Sequence, residues 1–392
     1  MQSVLTSQHY KKWRIAFLST CLLLVVGYWF VTTSSVTADT WLRNKVEWPR
    51  TDFSKTTVDA NEILSGGPPK DGIPAIDKPR FVTPQEANGW LDEKEPVIAV
   101  VINGQARSYP LQILIWHEIV NDEVGGIPIS VTFCPLCNAS IVFDRRVNGD
   151  VLDFGTTGKL RKSDMVMYDR QTESWWQQFT GKGIVGDYAG AELQQIPAGI
   201  IAFEDFKSAY PNGDVLSRKT GSSRPYGRNP YRGYDRIGDM PFLFDDPVDK
   251  RLPPMERVIS VRNGEQQRIY PFSLFKGQPV INDEFGQPLV IFSKQGTLSV
   301  LDESDIANSR LIPSVTAFSR QLNGQTLNFQ LVDGVLTDAE TGSQWDLLGR
   351  AVRGPLRGQQ LSPVDSGVYF AFAWLAFNPD TEIYGLDLIA SP

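Results

Sequence analysis

Glu118-Ile-Val-Asn-Asp-Glu-Val-Gly-Gly-Ile-Pro-Ile-Ser-Val-Thr-Phe-Cys-Pro-Leu-Cys137 decides how the chain is read. Two β-patterned runs flank Gly125-Gly126, and the second ends in a Cys-Pro-Leu-Cys knuckle. A two-residue Gly-Gly turn fixes a hairpin register in which Val124 faces Ile127. Counting outward puts His117 opposite Cys134, where facing Cβ atoms lie about 4.5–5.5 Å apart, close enough to share a metal ion or a hydrogen bond. Pro128 has no ladder donor, which places its end of the strand at an edge or bulge. Outside the N-terminal segment, which holds His9 and Cys21, the chain has no cysteine or histidine except Cys134, Cys137 and His117. Its soft-ligand chemistry is gathered at this hairpin.

Three kinds of chemistry fit that set. Two thiolates separated by Pro-Leu chelate one ion, as in a zinc-ribbon knuckle, and an imidazole makes a third ligand. Cys134, Cys137 and His117 therefore suit zinc or, if a thioether joins them, copper. A fourth ligand could come from Glu118, Asp144, Met165 or Met167, although single methionines are commonly core residues; Asp169 offers another nearby carboxylate. The second reading is thiol chemistry: a disulfide couple acting on a thiol partner, or a Cys134 nucleophile with His117 as its base. Against a thioredoxin-like couple, Asn138-Ala-Ser-Ile-Val-Phe143 is β-like and offers no long helix to lower a thiol pKa. The third is purely structural, with buried thiols or a disulfide and a satisfied histidine.

An internal similarity helps to choose between them. Val97-Ile-Ala-Val100, Tyr109-Pro-Leu111 and Ile119-Val-Asn-Asp-Glu-Val-Gly125 recur as Val258-Ile-Ser-Val261, Tyr270-Pro-Phe272 and Val280-Ile-Asn-Asp-Glu-Phe-Gly286. Met167 to Trp176 is echoed by Leu336 to Trp345. The expected fold is mainly β with a few short helices, in two tandem related β-barrel- or sandwich-like repeats over 81–246 and 255–392. In this register His117 corresponds to Gln278, Glu118 to Pro279 and Cys134 to Lys294, so the second copy lacks the soft ligands. Residues needed only to hold the fold would be needed twice; the comparison puts function in the first half.

The remaining sequence sets the context. Ile15 to Val31 is an apolar run behind Lys11, Lys12 and Arg14, at the short end of the spanning range. The expectation is a single-pass membrane anchor within 1–38 and an extracytoplasmic or periplasmic body, with Val36-Thr-Ala38 as a possible cleavage site. Residues 39–80 read as an extended Pro/Gly-rich stalk, and Thr83-Pro-Gln-Glu86 as the capped start of a short helix running through Trp90. A net charge of −7 without a basic cluster excludes a nucleic-acid partner. Arg218 to Asp235, rich in Arg, Tyr, Gly and Pro, has no match in the second half and reads as a loop over the surface or over the site.

Gly66-Gly-Pro-Pro-Lys-Asp-Gly-Ile-Pro-Ala-Ile-Asp77, Trp116-His-Glu-Ile-Val-Asn-Asp122, Thr132-Phe-Cys-Pro-Leu-Cys137, Val166-Met-Tyr-Asp-Arg170 and Tyr226-Gly-Arg-Asn-Pro-Tyr231 together form a specific signature. In these the chain resembles the bacterial and archaeal family known as domain of unknown function 3179, over roughly residues 60 to 385. The resemblance implies a frequently exported protein with no established activity. Members commonly carry Thr where this chain has Cys137, which implies Cys134 with His117 as the shared core.

Overall fold

Alternating apolar and polar residues between turn-forming pairs resolve into antiparallel hairpins in a computed structural model that describes residues 44–386. β1 (Pro96–Ile102) and β2 (Gln105–Pro110) meet at Asn103-Gly104, both at positive φ, with Val97 opposite Pro110. α1 (Leu111–His117) follows, and then β3 (Ile119–Val124) and β4 (Ile127–Cys134) join at Gly125-Gly126. Both glycines take positive φ, and Val124 faces Ile127 as the turn requires. The Cys-Pro-Leu-Cys-Asn turn then returns the chain as β5 (Ala139–Asp144), which pairs with β4 from Ile129↔Asp144 to Cys134↔Ala139. After a short hairpin of Arg146–Val147 with Asp150–Val151, β6 (Phe154–Arg161) and β7 (Asp164–Asp169) form a longer one. Ahead of β1, Thr83 and Glu86 make the expected capping box, but the helix covers only Pro84–Ala87.

Part of this order of elements recurs from Arg257 onward. Arg257–Asn263 pairs with Gln266–Pro271, and a short helix at Phe272–Lys276 leads to the hairpin of Val280–Glu284 and Pro288–Leu298. Individual clips recur as well. Tyr109 donates to Asp122 (2.6 Å), which also pairs with Arg107; Tyr270 donates to Asp283 (2.6 Å), which pairs with Arg268. Asn121 Nδ2 donates to the Phe154 carbonyl, and Asn282 Nδ2 to that of Phe329.

The barrel alternative is not met. Among the described residues the sheets hold two to five strands, and each ends in two edges. Bulges at Thr156/Lys159 and at Gln295/Thr297 bend two of the hairpins, but in no described sheet does the last strand pair back onto the first. The open sheets bury their apolar faces against one another instead, and two clusters draw on both halves. One joins Leu114, Val131, Phe133 and Phe179 to Val258, Phe370 and Trp374; the other joins Val97 and Phe203 to Phe292 and Phe318. Phe179 stacks on Phe377 at a centroid distance of 4.5 Å. The Phe370 amide donates to the Cys137 carbonyl (2.9 Å), so the second half braces the knuckle directly.

The expected anchor lies outside the described residues. Among those described, no helix is long and apolar enough to cross a membrane.

Candidate functional site

Cys134 closes β4, and Cys137 sits in the tight turn behind it, which ends with Asn138 at φ 49°. The Cys137 thiol donates to the Ser163 carbonyl (3.5 Å). Asp164 opens β7 immediately after a turn in which both Lys162 and Ser163 hold positive φ. This turn brings Asp164 under the knuckle. The two sulfurs and one carboxylate oxygen of Asp164 lie within 4.8 Å of one another, and all three residues are buried. Asp164 Oδ1 accepts from Gln177 Nε2 (2.6 Å) and from the Phe179 amide (2.9 Å), whereas the buried Oδ2 has no hydrogen-bond partner.

Glu118 stands beside this group. It caps α1 in the left-handed conformation (φ 58°), its amide donating to the Leu114 carbonyl and its own carbonyl accepting from Phe133. Tyr231, which arrives on the Arg/Tyr loop, lies beside the buried Glu118 carboxyl and favours its ionised form. Burial sets the electrostatics. It pushes Glu118 up to about 8, with Asp164 adding to the effect, and Asp164 up to about 7 against the pull of Gln177 and the Phe179 amide. It raises both thiols too, Cys137 further through Cys134 and Asp164. Four would-be anions converge, and no Lys or Arg is among the leading influences on any of them. Such a set holds most of its protons up to neutral pH, with Asp164 the first to release its own, and a bound cation would take the protons' place.

His117 does not join the donors. The predicted register holds from Val124↔Ile127 to Ile119↔Thr132 and ends there, because Glu118 turns the chain out of the ladder and His117 belongs to α1. Its Nδ1–H donates to the Pro74 carbonyl, and its Nε2 accepts from the Tyr226 hydroxyl, both at 2.6 Å. Burial and Arg224 push its pKa down, which keeps the ring neutral. His117 thus fastens the Arg/Tyr loop to the Gly66–Asp77 segment, with both ring nitrogens engaged there. Asp169 accepts from Trp176 Nε1 (3.0 Å) and Thr172, as Asp338 does from Trp345 (2.9 Å) and Thr341, which marks it as a structural clip. Asp144 pairs with Arg146, and Met167 lies in the core; Met165 lines the cavity beside Glu118.

The second half carries none of the donors. Ser293 donates to the Pro279 carbonyl (2.9 Å) as Phe133 does to that of Glu118 (2.8 Å), which sets Lys294 in the place of Cys134. The Lys294 ammonium bonds Glu204 and Asp205. The hairpin equivalent to β6–β7 turns at Asp333-Gly334, before any counterpart of Asp164.

The fold and site define a mainly β protein of open sheets with a buried cluster of two thiols and two carboxyls. The chain matches the family described as "Protein of unknown function (DUF3179)" over residues 70–381, a span that includes every donor, and it belongs to that family. No curated protein and no solved structure matched it.

Proposed function

We propose that the chain binds a zinc ion through Cys134 and Cys137 as thiolates and Asp164 as carboxylate, with Glu118 beside the open position. The observation that carries this reading is Asp164 Oδ2, buried, met by no N–H or O–H donor and faced by the two thiols. A buried carboxylate oxygen faced only by thiols, which are weak donors, is poorly compensated, and a cation would offset that cost. Copper is the weaker choice, since it would call on an imidazole or thioether and His117 is held elsewhere. Three protein ligands leave one position free, the pattern of a working zinc rather than a closed structural one. A bound ion would supply Lewis acidity there. The chain's own residues hold the ligands in place through Gln177 and the Phe179 amide below Asp164, and the Phe370 amide behind the knuckle.

The recurring element order and clips support a duplication, with 81–246 as a working copy and 255–392 as a bracing one. The apolar run behind Lys11, Lys12 and Arg14 supports a single-pass anchor with the body outside the cytoplasm. A thiol–disulfide couple is the second reading, favoured by the closeness of two free cysteines.

Elemental analysis of the purified full-length chain tests the assignment. About one zinc per chain is expected, lost in Cys134→Ser and Asp164→Asn but kept in His117→Ala. A metal-free protein whose two thiols titrate as a disulfide would transfer the site to redox chemistry.

A further inference from the structure

A cavity of about 620 Å³ lies against Glu118, and its wall includes Leu136, Met165, Tyr231, Tyr234 and Phe242. Leu136 separates the two cysteines in sequence and Met165 follows Asp164, so cavity and donors are built from adjoining residues. Most of the remaining wall is glycine, proline and aliphatic side chains. Lys159 also contributes, but its ammonium is 3.9 Å from the Glu47 carboxylate and over the Trp175 ring. The outer lip is apolar as well, with Met240 64% and Phe242 50% exposed. It is tied to the site by the Phe242 amide donating to Tyr234 (3.1 Å) and by Ser163 donating to the Phe242 carbonyl.

Backbone strain is concentrated around the same space. Apart from Gly, Asn and Asp, the described residues at positive φ are Glu118, Lys162, Ser163, Glu173 and Leu243. All but Glu173 lie at the cavity, its lip or the turn beneath it. Side chains hold such a backbone conformation only where the surroundings impose it, and such positions collect at ligand sites.

We propose that this cavity admits the ligand of the Cys134–Cys137–Asp164 site, and that the ligand is an uncharged, mainly apolar molecule with a hydroxyl or carbonyl head. The inference rests on the metal-site reading. The volume falls within the range of about 300–1,000 Å³ that holds small organic ligands. Lys159, shared with Glu47, and Glu118, beside Tyr231, are the chargeable groups of an otherwise apolar wall, so most positions in the cavity would leave an ionised ligand's charge unpaired, whereas Tyr231, Tyr234 and Glu118 offer hydrogen bonds to a neutral head. The exposed Met240 and Phe242 place apolar surface at the mouth of the cavity.

Photolabelling the full-length, zinc-supplied protein with an alkyl-diazirine alcohol, its carboxylic acid and its ammonium analogue tests this, with labelled peptides mapped by mass spectrometry. The alcohol should label the peptides holding Met165 and Met240–Leu243 at least ten-fold more than either charged probe. Leu160→Trp, which fills the cavity, should cut that labelling at least ten-fold. Tyr231→Phe, which removes a hydroxyl without adding volume, should cut it several-fold. Labelling confined to residues 15–31, equal for the three probes, or undiminished in both variants would overturn the inference. Zinc measured on the same samples separates the two readings. Zinc bound without cavity labelling overturns the chamber alone; cavity labelling without zinc supports the chamber and overturns the metal.

Discussion

Gln177 and the Phe179 amide grip one oxygen of Asp164 and leave the other among the sulfurs, and the pH response of the metal-free protein follows from that arrangement. Asp164 at about 7 and Glu118 at about 8 both stand above their ordinary carboxyl values. The folded state therefore keeps protons that the unfolded chain has already released. Their stabilising contribution is complete below pH ~4, and is lost as pH rises toward 7–8. Glu95, pushed up to about 7 by burial, acts in the same direction. The Tm of the metal-free protein should fall from about pH 5 to 8, and Asp164→Asn with Glu118→Gln should flatten most of the slope, leaving the share of Glu95 and the opposing one of His117, whose lowered pKa makes stability rise with pH toward 6.5. A Tm that rises over that interval would contradict the assignment. Cys134 and Cys137 were legible in the sequence because their residue types are rare in this chain. Asp164 was not: an aspartate at a strand start looks ordinary until the length of its hairpin is known.

Among the elements, the Gly125-Gly126 turn made the whole β3–β4 register readable, down to Ile119↔Thr132. The error began one residue further on. Leu111 to Ile115 is a short run, apolar except for Gln112, which periodicity alone assigns to strand or helix equally well, and as a helix it carries His117 away from the ladder. The left-handed Glu118 that makes this corner has no sequence signature, because Gly or Asn is the usual residue there. Gly158 shows a constraint of the opposite kind. It sits in the β6 bulge at φ 71°, and an added Cβ would come within 1.9 Å of the Pro68 carbonyl. Gly158→Ala should destabilise by about 1–3 kcal/mol or more from backbone strain, before any displacement of the Gly66–Pro69 segment. Denaturant midpoints would measure it; an unchanged midpoint would show that the segment gives way freely.

At the scale of the molecule, the two halves share their cores. Phe179 packs against Tyr369, Trp374 and Phe377, and Phe370 reaches the knuckle itself. The recurrence of Tyr-Pro and Asn-Asp motifs was readable from sequence, but motif recurrence carries no information about how the halves pack. Burial across both predicts a single cooperative unfolding transition, observed together by fluorescence and calorimetry. Trp374→Ala should lower its stability by about 3–5 kcal/mol, as for a large core aromatic. Two separate transitions would show that each half holds itself together. Zinc at about one hundred times its Kd should raise the same transition by about 2.7 kcal/mol.

X-ray absorption at the zinc edge tests the central claim most directly, since it reads the ligands of the bound ion. Two sulfur neighbours near ~2.3 Å with oxygen at about 2.0–2.2 Å, and no imidazole scattering, are predicted for Cys134, Cys137 and Asp164. Imidazole scattering that disappears in His117→Ala, or a first shell without sulfur, would contradict the account.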